Sequence, residues 1–346
     1  MEKIGGCAPQ RNDCIDLLRF VGLTMIVLAH CGPPWYLFQA RNFDVPLMVL
    51  ISGITYAAFH RREAYLEYIW KRVKRLIFPV WIFLTALFSA CALLDFPRPL
   101  PDMGTIASSY FLMSGIGYVW IIRVFILVAL VAPTIIFINT KIKSNFAYLT
   151  SLLTLYVLYE LAVYLTGTTG TSALDFFRNE IIFYMVPYAV IFALGVRIQA
   201  LSVLSLISIA ILLFIYFSIH AGYLYINTGD FIQTQTDKYP PTAYYLSYAV
   251  GVSTMLWLLA PIFTWIADRT KMKELVSFIS RNSIWFYLWH IIFVMTVSLP
   301  FYLKFPLVFV SSGLITWAHV SLVENHLIHR IKNPALKRNA LKVLTG

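Results

Sequence analysis

The most restrictive feature of the sequence is a series of apolar runs, each long enough to cross a lipid bilayer. A helix needs about 20 apolar residues to span the hydrocarbon layer. Runs of roughly this length lie at residues 14–32, 43–60, 76–94, 118–138, 147–166, 180–197, 201–220, 243–266, 283–300 and 305–323. The chain is 60% hydrophobic and only 12% charged, whereas about a quarter of the residues in a soluble domain are charged. We therefore predict an all-α, polytopic integral membrane protein with about ten transmembrane helices.

The positions of the basic residues predict the orientation of these helices. Lys and Arg outnumber Asp and Glu by 27 to 16, an excess that can indicate nucleic-acid binding. Here most of the basic residues lie in short segments on one side of the predicted membrane, as the positive-inside rule requires. We therefore expect no nucleic-acid partner. The predicted organisation is a cytoplasmic segment at 1–13, a ten-helix membrane domain at 14–323 and a basic cytoplasmic tail at 324–346.

The first apolar run contains ionisable residues at both ends. It reads DLLRFVGLTMIVLAHC and places Asp16 and Arg19 near one end and His30 at the other. In an α-helix, residues 11 positions apart lie on the same face and roughly 16 Å apart. Ionisable groups at such depth are costly in lipid, so they usually face the protein interior and mark a functional path. The alternative is an interfacial His30 with a snorkelling Arg19. We expect Asp16 to pair with Arg19.

A second group of basic residues precedes the third run. Arg72 and Arg75 share a helix face at the predicted cytoplasmic mouth, where guanidinium groups can bind phosphates. The alternative is that they only satisfy the positive-inside rule and contact anionic lipid. We predict that the segment 60–75, which contains both, is a short amphipathic helix on the inner surface.

Weaker candidates lie nearer the predicted outer side. We expect Arg123 and Glu160 to form an ion pair that lines the entrance for an acceptor, because charges within a membrane need partners. Tyr239 belongs to the polar and aromatic segment 221–242, which would suit glycan binding or would simply be a solvated loop. His290 lies in the middle of the ninth run, where we expect a structural hydrogen-bonding role rather than that of a base.

Four of these stretches together resemble the membrane-bound acyltransferase-3 family. They are Arg19 with His30 after ten intervening residues, the sequence FDVPLMVLISG at 43–53, Arg72-x-x-Arg75, and IWFYLWH at 284–290. The resemblance covers residues 11 to 323 and agrees with a ten-helix layout. The second-run motif departs from many members, which have a run of Phe before the Ser-Gly pair that stands here as Ser52 and Gly53.

The resemblance implies an O-acyltransferase of the bacterial cytoplasmic (inner) membrane with both termini in the cytoplasm. The implied donor is acetyl-coenzyme A, and no metal is implied. The implied acceptor is a hydroxyl of a polysaccharide or lipid-linked glycan, such as lipopolysaccharide O-antigen, capsule or exopolysaccharide. Membrane lipid is the other expected partner, and homo-oligomerisation is left open, as is the choice between acetyl and a longer acyl group.

Three groups of site residues follow from the motifs and the resemblance. They are the catalytic set His30, Arg19 and Asp16, the donor-binding set Arg72, Arg75 and Arg19, and the acceptor-binding set Arg123, Glu160 and Tyr239. His30 would act as a general base on the acceptor hydroxyl, since imidazole titrates near neutral pH. A two-step reaction through acyl-His is the competing mechanism. Arg19 would either hold the donor arm or stabilise the thioester oxyanion, and its distance from His30 favours the arm.

Two other functional classes compete with the enzyme. A transporter of a sugar-lipid or a proton-coupled solute would use Asp16, Arg19, Glu160 and His290 as its path. Transporters often contain inverted repeats with broken helices in matching halves, and the sequence shows no such pairing. A scaffolding protein would explain neither the arginine pair nor the ionisable residues within the runs.

Overall fold

The computed structural model describes residues 12–59, 63–168, 170 and 172–346. Within these ranges every regular secondary-structure element is a helix. A helix coincides with each of the ten predicted apolar runs. In chain order these are α1 Asp13–His30, α2 Asp44–Phe59, α3 Tyr65–Leu94, α4 Trp120–Lys141, α5 Asn145–Thr166, α6 Phe183–Arg197, α7 Val203–Thr228, α8 Ala243–Arg269, α9 Ser283–Thr296 and α10 Phe301–Leu322.

Shorter helical elements connect or flank these ten helices. They are Trp35–Ala40, Met103–Tyr110, Ala173–Phe177, the π-helical turn Arg178–Ile182, the 3-10 turns Ile198–Ala200 and Thr234–Asp237, Lys273–Arg281, the π-helical turn Val323–Leu327, Ile328–Arg330 and Pro334–Leu344.

Eight of the ten helices, taken with the short elements continuous with them, are long and apolar enough to cross a membrane. The other two are α1, which carries Asp13, Asp16 and Arg19, and α9, which has only 14 residues. The prediction of an all-α polytopic membrane protein is confirmed. The structure identifies eight spans in the part of the chain that it describes, so the number ten stays a prediction.

Helix α3 differs from its prediction. Residues 60–62 lie outside the described ranges, but from Tyr65 to Leu94 the chain forms one continuous helix of 30 residues. The predicted separate surface helix at 60–75 is therefore wrong. The physical reason is that no Pro or Gly lies between Tyr65 and Pro79, so nothing breaks the hydrogen-bond ladder in this segment. Arg72 and Arg75 consequently lie on the same rigid helix as the apolar span.

A close helix crossing in the core joins α2 and α6 through two glycines. A Cβ atom at Gly53 would lie 2.2 Å from the carbonyl oxygen of Phe192, and one at Gly195 would lie 2.2 Å from that of Leu50. Small residues let helix backbones approach closely, which is the main source of packing energy between helices in lipid. This crossing brings α2 and α6 together at the centre of the bundle, beside α1 and α4.

Two helices lie at the periphery of the bundle. Helix α5 buries only Tyr148 and Tyr159, and α7 buries only Leu206 and Ala210. The side chains that both helices expose are mainly apolar, which is typical of helices that face lipid. Glu160, the predicted site residue on α5, therefore lies on a lipid-facing helix.

The C-terminal region is folded onto the bundle. Within the predicted basic tail at 324–346, residues Pro334–Leu344 form a helix. The indole of Trp285 donates a hydrogen bond of 3.0 Å to the carbonyl of Val343, and Lys74 Nζ donates one of 3.1 Å to Asn339 Oδ1. At the other end of the chain, most of the predicted segment 1–13 lies outside the described residues.

The α2–α6 crossing provides a test of the fold. We expect Gly195→Ala to destabilise the protein by about 1–3 kcal/mol, because the added methyl group collides with backbone and forces the helices apart. The measurement is thermal unfolding in detergent. Gly222→Ala on α7 is the matched control, since a Cβ there meets nothing within 4 Å. Equal melting temperatures for the two variants would contradict the close crossing.

Candidate functional site

One end of α1 carries a compact polar network. Arg19 Nη1 lies 3.4 Å from Asp16 Oδ1 and donates a 3.1 Å hydrogen bond to Ser280 Oγ. Ser280 in turn donates to Asp16 Oδ1 at 2.8 Å, and Arg19 Nη2 lies 3.4 Å from Thr55 Oγ1. The predicted pairing of Asp16 with Arg19 is confirmed. Ser280, which lies on the helix Lys273–Arg281, was not predicted, because only helix packing brings it to α1.

Two further guanidinium groups lie beside this network. Arg72 and Arg75 line the same cavity as Arg19, and this cavity has a volume of about 170 Å³. The Arg72 guanidinium lies 5.1 Å from the ring centre of Tyr68, a cation–π contact. Among the described residues, neither Arg72 nor Arg75 has a carboxylate within 4 Å. The arrangement therefore presents cationic donors to an incoming anion. We name this space the middle cavity.

A larger opening adjoins the middle cavity. It has a volume of about 530 Å³ and is lined by Asp16, Arg19, Arg75 and Arg281, among others. We name it the arginine vestibule. It shares Arg19, Thr55 and Arg75 with the middle cavity, so the two spaces adjoin at these side chains. This lining of charged side chains suits a charged ligand.

At the opposite end of α1, His30 forms a hydrogen bond with His290. The distance between His30 Nδ1 and His290 Nε2 is 2.8 Å. His290 is completely buried, and its Nδ1 is hydrogen-bonded to the backbone carbonyl of Tyr287 in its own helix. The prediction that His290 is a hydrogen-bonding residue agrees with this contact. Its partner was not predicted.

The carbonyl of Tyr287 determines where the protons lie on both rings. A carbonyl oxygen only accepts, so His290 Nδ1 must carry the hydrogen, and in a neutral imidazole Nε2 is then the acceptor. His30 Nδ1 must therefore donate to His290 Nε2. In neutral His30, Nε2 then carries no proton. His30 consequently has one basic nitrogen available to a substrate, held by a bond that fixes both its tautomer and its orientation.

His30 lines a third space, which we name the histidine cavity. Its volume is about 190 Å³, and Trp120, Gln235 and Tyr239 form part of its wall. It shares three lining residues, Ile26, Ile121 and Tyr287, with the middle cavity. The arginine vestibule, the middle cavity and the histidine cavity thus follow one another along α1.

The wall of the histidine cavity also contains three buried charges. Asp44 Oδ2 lies 2.9 Å from Arg41 Nη1, and Asp44 Oδ1 lies 3.4 Å from Lys238 Nζ. Burial lowers the pKa of Lys238 from its ordinary value to about 8, and the neighbouring Asp44 opposes that shift. Lys238 is therefore mostly protonated at neutral pH. Sequence reasoning missed this group, although Arg41 and Asp44 stand three residues apart, a spacing that brings side chains together in helical turns.

The predicted acceptor residues separate in the structure. Tyr239 lines the histidine cavity, with its ring perpendicular to that of Trp120 at 5.1 Å between centres. The predicted ion pair of Arg123 with Glu160 is wrong. Arg123 forms its ion pair with Glu180, and Glu160 instead accepts a 2.6 Å hydrogen bond from the hydroxyl of Tyr156.

The pairing of Arg123 with Glu180 follows from the helix geometry just before α6. The π-helical turn Arg178–Ile182 precedes α6 and places Glu180 beside α4, where Arg123 lies. The guanidinium of Arg123 also lies 4.6 Å from the ring centre of Tyr184. Neither Arg123 nor Glu160 lines any of the three cavities.

Comparison with protein-family models gives one match across most of the chain. A family described as an acyltransferase domain matches residues 12–321. This range contains Arg19, Arg72, Arg75, His30 and His290. No curated protein and no solved structure matches the chain.

The lack of carboxylate partners at Arg75 leads to a binding prediction. Arg75→Gln should weaken the binding of coenzyme A about tenfold or more, because a charge-assisted hydrogen bond contributes about 1.5–3 kcal/mol. Calorimetric titration in detergent measures the affinity. Arg338→Gln, which changes an exposed arginine on the C-terminal helix, is the control and should bind normally. Unchanged affinity in the Arg75 variant would leave this side chain without a role in ligand binding.

Proposed function

Because the chain belongs to the membrane-bound acyltransferase-3 family, we propose that it transfers an acetyl group from cytoplasmic acetyl-coenzyme A to a hydroxyl of a surface or lipid-linked polysaccharide. O-antigen, capsule and exopolysaccharide are the acceptors that we propose. The protein is an integral-membrane acyltransferase. We place it in the bacterial inner membrane with both termini in the cytoplasm, on the basis of its basic loops.

The single observation that carries this proposal is the series of three cavities along α1. The series extends from Arg75 in the arginine vestibule to His30 in the histidine cavity, and each cavity shares lining residues with the next. Arg19 and His30 are 11 residues apart on one helix, which corresponds to roughly 16 Å. A path of this kind would let a donor bound from one side of the membrane react with an acceptor that arrives from the other side.

The residues of the middle cavity fit the anionic part of the donor. Arg72 and Arg75 would bind its phosphates, since both guanidinium groups lack a carboxylate partner among the described residues. Arg19 would hold the pantetheine arm along the path. Asp16 and Ser280 would position Arg19 rather than contact reacting atoms, because they lie at the far end of α1 from His30.

At the other end of the path, His30 would act as the general base. Its Nε2 would take the proton of the acceptor hydroxyl as the oxygen forms its bond to the acyl carbon. The bond between that carbon and the donor sulfur breaks, and the proton held on His30 is then available to the departing thiolate. The same nitrogen is the atom that would attack the thioester in the competing acyl-His mechanism.

His30→Ala tests the proposed reaction directly. The variant should lose transfer of labelled acetyl groups to glycan while it retains coenzyme A binding, because the arginine residues are unchanged. The assay uses purified protein in vesicles with labelled acetyl-coenzyme A and surface glycan. Substantial transfer by the variant would exclude His30 as the base. Uptake of a solute without acylation by the wild-type protein would favour a carrier.

The tautomer argument predicts graded effects at His290. His290→Leu removes the acceptor for His30 Nδ1 and should lower kcat about 10²-fold or more, as expected when a base loses its correct tautomer. His290→Gln should recover part of the rate, because its amide oxygen can accept the same hydrogen bond. KM for the donor should not change in either variant. Equal rates for the two variants would contradict the positioning role of His290.

A further inference from the structure

The histidine cavity contains an excess of positive charge. Arg41 and Lys238 both form ion pairs with Asp44, which is the one carboxylate among the described residues that line this cavity. All three side chains are at most 4% exposed. His30 is neutral in the tautomer derived above, so two cations and one anion leave a net charge of +1.

Within the described residues, no second carboxylate pairs with Arg41 or Lys238 to balance this excess charge. Arg41 also contacts the neutral oxygens of Asn42 and Gln235, at 3.4 and 3.5 Å, and the face of the Phe38 ring, at 3.9 Å from its centre. Lys238 Nζ also contacts Asn42 Oδ1, at 3.2 Å. Arg41 Nε has no hydrogen-bond partner. An uncompensated buried charge is costly, and an arginine nitrogen that lacks a partner adds to this cost.

The position of this charge beside His30 adds a second argument. A general base becomes a cation when it takes the hydroxyl proton, and Arg41 and Lys238 would repel that new charge. A negative group bound between the two cations and His30 would offset both effects. The aromatic faces of Trp120 and Tyr239 in the same wall suit the apolar side of a sugar ring.

We propose that the acceptor is an acidic sugar, whose anionic group lies against Arg41 and Lys238 while its hydroxyl reaches His30. This inference rests on the proposed function and names the acceptor class. The shared chemistry is a group of anionic oxygens, which a carboxylate or a phosphate can supply. Charge-assisted hydrogen bonds from Arg41 and Lys238 would recognise either group.

The test compares three probes that differ only at carbon 6. They are methyl glucuronide, methyl glucoside 6-phosphate and neutral methyl glucoside, each titrated against the full-length protein in detergent by ligand-observed NMR. At least one acidic probe should bind tenfold or more tightly than the neutral probe, and the comparison between the acidic probes separates carboxylate from phosphate. Equal affinities, or no detectable binding of the acidic probes, would overturn the inference.

A charge variant makes the test specific to this cavity. Lys238→Gln should remove most of the preference for the acidic probe. Lys304→Gln, which changes a lysine at the same end of the bundle that does not line the cavity, should retain it. If Lys238→Gln does not fold, the wild-type comparison of probes still decides the question.

These binding measurements need no acyl transfer. Acylation of neutral glycans without any preference for acidic probes would overturn the acidic acceptor and leave the proposed function intact. Tight binding of acidic probes without any acyl transfer would support the anion-binding role of this cavity and contradict the proposed acyltransferase reaction. If the two cations instead only stabilise charge in the transition state, Lys238→Gln would lower kcat equally for acidic and neutral acceptors.

Discussion

Charged side chains inside an apolar bundle must be compensated by other protein groups, and this constraint organises the structure around α1. Asp16 and Ser280 compensate Arg19 at one end of the helix. At the other end, Asp44 holds Arg41 and Lys238 in the wall beside His30. Each charge faces the interior of the bundle because lipid offers it no partner. The polar path therefore follows a single helix.

The two groups of cations differ in how fully they are compensated, and this difference suggests different ligands. Arg72 and Arg75 have no carboxylate within 4 Å among the described residues; both line the middle cavity, and Arg75 also lines the opening of about 530 Å³. Arg41 and Lys238 share one carboxylate in a smaller space of about 190 Å³. The first group suits the several phosphates of a coenzyme. The second suits one additional negative charge on an acceptor.

The histidine pair separates two roles that a single imidazole would have to combine. His290 is buried and bound to a backbone carbonyl, so its protonation pattern is determined by its own helix. The 2.8 Å hydrogen bond from His30 Nδ1 to His290 Nε2 fixes the tautomer of neutral His30, so its Nε2 is free to accept a proton from the substrate. Positioning and proton transfer thus belong to different residues, as in other sites where a second group orients the base.

Features that depend on neighbouring turns of one helix were predictable from the sequence. Helical geometry alone placed Arg19 and His30 on one stripe, and spacing of three residues paired Asp16 with Arg19. Apolar length and composition determined the all-α membrane class. These properties depend on the 3.6-residue period and on the cost of charge in lipid, both of which act locally.

Only the tertiary structure decided which helices meet. His30 and His290 are 260 positions apart, and no local rule relates their side chains. Arg123 pairs with Glu180 instead of Glu160, and Glu180 lies in the π-helical turn that precedes α6. The glycine contacts between α2 and α6 bring distant backbones together. Contacts between distant residues depend on how entire helix surfaces pack against each other. The sequence alone determined only which charged or polar side chains required a partner inside the bundle.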